Sequence, residues 1–267
     1  MHRLIDEKMV ELIRTTGKTF ADLPDRIEIM DSLHLPYDRP ADNAVIMGCQ
    51  NLKLVPSTLQ ALSRILQRGG MSYTFLGQEY CCGNYLYRPA MKAKDEEAMT
   101  ECRSLSKEFI SRNIAAAKKL GARRIIIFCT PCYPVYKYAF PEENIVFYSR
   151  ALSEVIGNSS WPHEIDYYAG CYKLHRNLAR VPMDLKSTND VFEKIPDLSI
   201  NRISAPSCCY SSPGLAHMID HVKTDCMVHI CTGCYFQAAN NIPQERHVKI
   251  MMLPDFIDRI QTGGTSS

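Results

Sequence analysis

The stretch Arg124–Cys132 reads RIIIFCTPC, and its reading decides the fold. A run of β-branched and aromatic residues this short makes a buried strand. The strand runs straight into Cys129-Thr-Pro-Cys132, so two thiols stand at its C-terminal end. The pattern returns later in the chain, where Met227–Ile230 is a second short apolar strand that enters Cys231-Thr-Gly-Cys234.

Outward from these two points the chain reads as a repeat. The first series predicts strands at 43–48, 72–76, 124–128 and 144–148, with helices over 57–67 and 95–120 and after the fourth strand. The second predicts strands at 164–169, 199–203, 227–230 and 248–252, with helices near 188–195 and 215–222 and from Pro254. Strands alternating with helices predict an α/β fold of two similar lobes from an internal duplication. Each lobe is expected to be a small parallel sheet flanked by helices, with its cysteine site at the strand C-terminal ends. Open sheets of this kind bind ligands outside those ends. The expected division is a helical extension over 1–42, a first lobe over 43–160, a second over 161–260 and a flexible tail over 261–267. In the extension, Leu4, Ile5, Met9, Leu12 and Ile13 share one face of a helix expected over 3–15. That helix packs on its own body or docks onto a partner protein.

Ten of the 12 cysteines in the 267 residues belong to this repeat. The first set is Cys49, Cys81, Cys82, Cys129 and Cys132; the second is Cys171, Cys208, Cys209, Cys231 and Cys234. Each consists of a lone cysteine, an adjacent pair and a CxxC. Cys102 and Cys226 fall outside it and are expected to pack as small hydrophobes.

The net charge of +2 gives no electrostatic case for nucleic acid or an anionic membrane. Acidic residues in the first eight positions argue against a signal peptide, and no apolar run approaches a membrane helix. The expected compartment is the cytoplasm, where thiols stay reduced and patterned cysteines bind metal or do redox chemistry. A disulfide framework conflicts with that compartment. A thioredoxin-like pair suits Cys129 and Cys132 but leaves the other cysteines unused. Structural zinc takes four ligands, one fewer than each set offers. An iron–sulfur cluster takes thiolates readily, and a fifth points to a non-standard cluster or a spare ligand.

With Gly48-Cys49, Cys81-Cys82-Gly83 and Cys129-Thr-Pro-Cys132 repeated as Gly170-Cys171, Cys208-Cys209 and Cys231-Thr-Gly-Cys234, the chain resembles the cysteine-rich CCG-domain family. Within that family it is most similar to B subunits of heterodisulfide reductase. The resemblance implies two clusters of the non-cubane 4Fe–4S type, each held by its five cysteines, facing each other with a disulfide substrate between them. Zinc at one site is also known in the family. The resemblance further implies a C-type partner subunit with two cubane clusters and a flavin-bearing A-type subunit behind it. Other members serve dehydrogenases or quinone-linked complexes, where the module relays electrons. The chain lacks the ferredoxin run C-x₂-C-x₂-C-x₃-C, so electrons are expected from another subunit. It also lacks GxGxxG and P-loop fingerprints.

The second half departs from the first in two ways. Tyr210 stands where the first half has Gly83, and 21 residues rather than 46 separate the cysteine pair from the CxxC. His175, close behind Cys171, is the candidate proton donor, with His217, His221 and His229 as alternatives. Tyr80, Tyr85, Tyr133, Tyr172, Tyr210 and Tyr235 lie beside cluster cysteines, where they tune a centre or simply pack. Arg88 and Lys173 are candidates to meet an anionic substrate.

Overall fold

The computed structural model describes residues 1–157, 159–171 and 180–263. The expected α/β architecture is present twice. In the first lobe β1 (Asn43–Ile46), β2 (Tyr73–Phe75), β3 (Arg124–Ile127) and β4 (Ile145–Phe147) form one parallel sheet in the order β2-β1-β3-β4. In the second, β5 (Glu164–Tyr168), β6 (Ser199–Ile203), β7 (Cys226–His229) and β8 (Lys249–Met252) repeat it as β6-β5-β7-β8. Identical orders from two halves of one chain are the structural form of the repeat. The order places β1 and β3, or β5 and β7, side by side at the centre, so the lone cysteine and the CxxC leave neighbouring strands. β1 and β3 are almost wholly buried, which is why they read as unbroken apolar runs.

The described chain forms two compact units. The first is built mainly on Met1–Pro56 and Met71–Tyr148. The second takes Ser57–Gly70 together with most of the chain after Ser149. Within the second unit, Arg64 and Arg68 both reach Asp258 of the last helix, Leu253–Gln261, at 2.5 and 2.6 Å.

The opening helix, Glu7–Thr16, is capped by Asp6 and packs on its own lobe. Val10 and Ile13 join Cys81, Leu105 and Phe109 in one buried cluster, and Arg14 pairs with Glu108 at 2.7 Å. Several helices exceed the expectation. Arg26–Ser32 follows the cap residue Asp25. Cys132–Ala139 and Thr232–Asn241 start within the two CxxC motifs. In the stretch CYPVYKYA, Pro134 lies in the first turn, where a missing N–H costs nothing. Among the described residues no helix is long and apolar enough to cross a membrane. Residues 264–267 of the expected tail lie outside the described residues.

Candidate cysteine centres

Each lobe gathers its five thiols where the central strands end. Gly48 and Gly170, just before the lone cysteines, have φ of +88° and +90°, a conformation that L side chains rarely adopt. A Cβ on Gly48 would stand 2.6 Å from Cys129 Cβ, and one on Gly170 would stand 2.9 Å from Cys234 Sγ. Both glycines therefore let the first loop close onto the CxxC of the neighbouring strand.

The thiols meet in the same pairs in both lobes. Cys82 and Cys132 lie 3.2 Å apart, and their counterparts Cys209 and Cys234 lie 3.5 Å apart. Cys49 is hydrogen-bonded to Cys81, as Cys171 is to Cys208. All ten are free thiols, with Cys81, Cys82, Cys132, Cys209 and Cys234 buried and the others half-buried.

Crowding separates their acidities. Cys81 is pulled well below the usual thiol range because Cys49 and Cys82 bond to it, and the Gly83 N–H lies 3.4 Å from its Sγ. Cys49 is pushed well up by the same bond with Cys81 and by burial. Cys132 rises well above its ordinary value through its bonds to Cys129 and Cys82. In the second lobe the bond with Cys234 lowers Cys209, while Cys234 rises. Burial leads the rise of Cys171. The thiol pulled downward is thus the first member of the adjacent pair in one lobe and the second member in the other.

Among the described residues, no group of three or more His, Cys, Asp or Glu side chains is set up to hold a single metal ion. The thiols are instead packed against one another, so that each negative charge raises the cost of the next. A cationic inorganic group would turn that repulsion into attraction, and thiolates are its natural donors. The donor set fits such a group.

The first centre rests on side chains to which the motif gives no clue. Glu79 is buried and accepts from the backbone N–H groups of Met47 and Gly48 at 2.7 and 2.9 Å. Its charge is met by Arg26 at 2.9 Å. The Gly17 carbonyl accepts from the Cys81 N–H at 2.9 Å, so the opening helix ends on the cysteine pair. Asn113 clamps Tyr80 by bonding both its N–H and its carbonyl at 2.7 Å. Ser106 donates to the Cys82 carbonyl at 2.7 Å. Both Asn113 and Ser106 come from the helix Glu96–Lys119, which occupies the long spacer. Nothing periodic marks Glu79 or Arg26; a lone carboxylate two residues before Cys81 is the only trace.

The second centre lacks that helix. Ser211 folds back on Cys208, with its N–H and hydroxyl both donating to the Cys208 carbonyl at 2.8 and 2.7 Å. It also caps the short helix Ser212–Asp220. Gly83 adopts φ +74°, which explains the glycine there, whereas Tyr210 is not among the residues of positive φ. The Tyr210 ring lies over Gly233, within 3.3 Å of where a Cβ would be. The first lobe has Pro131 at that CxxC position and Gly83 after the cysteine pair, so the glycine stands on opposite sides of the two centres, across from a proline in one and a tyrosine in the other.

The other candidates are placed as follows. Tyr85 receives a hydrogen bond from Gln50 at 2.6 Å, with Arg88 stacked 4.7 Å from its ring. Tyr133 is buried and packs on Phe147, and Tyr235 packs on Phe236. His217 and His221 stack on each other at 4.0 Å, with His217 bonded to Ser204. Cys102 and Cys226 are buried within their elements, and burial lifts them to about 11 and about 12. His175, Tyr172 and Lys173 lie outside the described residues.

A parallel α/β lobe carrying a lone cysteine, Cys-Cys-Gly and CxxC at its strand ends defines a class of its own. Residues 44–135, within the first lobe, match the cysteine-rich CCG domain family. The chain is 30% identical over 82 residues to the D-type polypeptide of the dihydromethanophenazine:CoB–CoM heterodisulfide reductase of Methanosarcina barkeri, covering 30% of this chain and 18% of the relative. The counterpart of that polypeptide in Methanosarcina acetivorans is 27% identical over 120 residues, 45% of this chain and 25% of the relative. An EtfAB:quinone oxidoreductase of Syntrophomonas wolfei is 26% identical over 102 residues, 36% of this chain and 13% of the relative. The chain thus matches a quarter or less of each of these proteins, all of them named as oxidoreductases or their subunits.

Proposed function

We propose that this chain is an iron–sulfur subunit of a heterodisulfide-reductase-like complex, reducing a disulfide or related sulfur substrate at clusters of the non-cubane 4Fe–4S type. What supports this most is the duplicated thiol pairing, Cys82 with Cys132 and Cys209 with Cys234. The reaction is RS–SR′ + 2 e⁻ + 2 H⁺ → RSH + R′SH. The bound group would supply electrons singly and offer iron to the separating sulfurs. The chain's own residues hold it through ten thiolates, shape the approach through Gly48 and Gly170, and keep water from the buried thiols. The partners in this reading are a C-type subunit with two cubane clusters and, behind it, a flavin-bearing A-type subunit.

A second reading is an electron-relay subunit without its own substrate, favoured by the match to a quinone oxidoreductase. A zinc-stabilised scaffold is the third. Anaerobically purified protein should contain iron and acid-labile sulfide at both cysteine sets. With reduced viologen and a small disulfide it should release two thiols per two electrons consumed. Zinc alone, without sulfide, would sink both redox readings. Full iron content with no thiol released from any disulfide would leave the relay.

A further inference from the structure

The two lobes differ at one pair of buried positions beneath their centres. Three residues before the lone cysteines stand Ile46 and Tyr168; two before the CxxC motifs stand Ile127 and His229. These are register partners on the central strands, Ile46 with Ile127 and Tyr168 with His229. All four are buried, at 1% exposure or less. The first lobe therefore has two isoleucines where the second has three polar atoms. Tyr168 Oη, His229 Nδ1 and His229 Nε2 have no hydrogen-bond partner among the described residues. The two rings meet edge to face at 5.9 Å, which is a packing contact and not a hydrogen bond.

A buried donor left unpaired is costly, and folded proteins seldom carry one without a reason. Tyr168 belongs to the same buried cluster as Cys209 and Cys234, with Cys231 packed against it. A tyrosine hydroxyl carries its proton at neutral pH and can donate one hydrogen bond.

Resting on the iron–sulfur reading above, we propose that Tyr168 is a positioning residue of the second centre. Its hydroxyl donates a hydrogen bond to a sulfur of the group held there, and His229 packs edge-on to steady the ring. Hydrogen bonds to cluster sulfurs set reduction potentials. By withdrawing charge from sulfur, this one makes the second centre easier to reduce. The first centre has Ile46 at that place and receives no such bond.

The test is Tyr168→Phe in the full chain, loaded anaerobically and compared with the unaltered protein. The readouts are iron and sulfide content, redox titration followed by electron paramagnetic resonance, and the D₂O shift of the iron–sulfur stretching bands. The expected result is unchanged iron with one of two potentials lowered, by about tenfold in the one-electron equilibrium, or about 59 mV. Part of the D₂O shift should vanish with it. Unmoved potentials and bands at full iron content would overturn the proposal. So would loss of the second centre's iron, since a donor of this kind tunes the group without being needed to hold it. If the unaltered protein binds neither iron nor sulfide, the functional reading has failed before any variant is made.

Discussion

The two cysteine sets use one wiring pattern and two different supports. In the first lobe the thiols are held from outside by distant residues: Gly17 and Arg26 from the opening segment, Glu79 beside the pair, and Ser106 and Asn113 from the long helix. In the second the support is local, with Ser211 turned onto Cys208 and Tyr210 laid over Gly233. The difference follows from the spacers. Forty-six residues leave room for the 24-residue helix that carries Ser106 and Asn113, and 21 do not. The two sheets place their cysteines alike, while the clamps around them differ.

The largest effect is expected from breaking one centre at a time. Cys82→Ser and Cys209→Ser should each remove about half of the iron and sulfide, and the double variant nearly all of it; metal analysis reads this directly. A single substitution that empties both sets, or neither, would contradict the view that each five-thiol set holds its own group.

Glu79→Ala comes next. It leaves the Arg26 guanidinium largely buried without its partner and frees the N–H groups of Met47 and Gly48. Removing one member of such a pair costs about 3–5 kcal/mol, so the denaturation midpoint should fall sharply. The signal of the first centre should weaken while that of the second persists, because the second lobe has Pro206 nearest to that place.

A smaller contrast is expected between Gly48→Ala and Gly170→Ala. Both force alanine into a left-handed conformation at a cost of about 1–2 kcal/mol. At Gly48 the new methyl meets Cys129 Cβ, which is fixed to the backbone. At Gly170 it meets Cys234 Sγ, which can rotate away. Chemical denaturation should rank Gly48→Ala as the more damaging. Smallest of all is Tyr210→Gly. Tyr210 is 65% exposed, and its loss should change stability by no more than about 0.5 kcal/mol. A large drop in second-centre iron would instead make the ring part of the site.

Much of this was legible in the chain. The RIIIFCTPC stretch and its later echo give the parallel strands, the repeat and the ten thiols, because burial on both faces leaves an apolar run and a loop motif follows it. Helix expectations fared less well over the seven residues Arg26–Ser32, which lie between Pro24 and Pro36. The Tyr168–His229 difference could be seen by aligning the two halves from their cysteines, but not that both side chains are buried and unpaired.

The sequence by itself determined the α/β class, the duplication and the two five-thiol sets, since these depend on local periodicity and on spacing along one strand. Only the tertiary structure decided which thiol meets which, that Glu79 and Arg26 brace the first loop, and that three buried polar atoms of Tyr168 and His229 lie without a partner among the described residues. The physical reason is that these depend on contacts between residues dozens of positions apart. No window of sequence contains both partners, and the balance of burial against hydrogen bonding is settled only when the sheet brings them together.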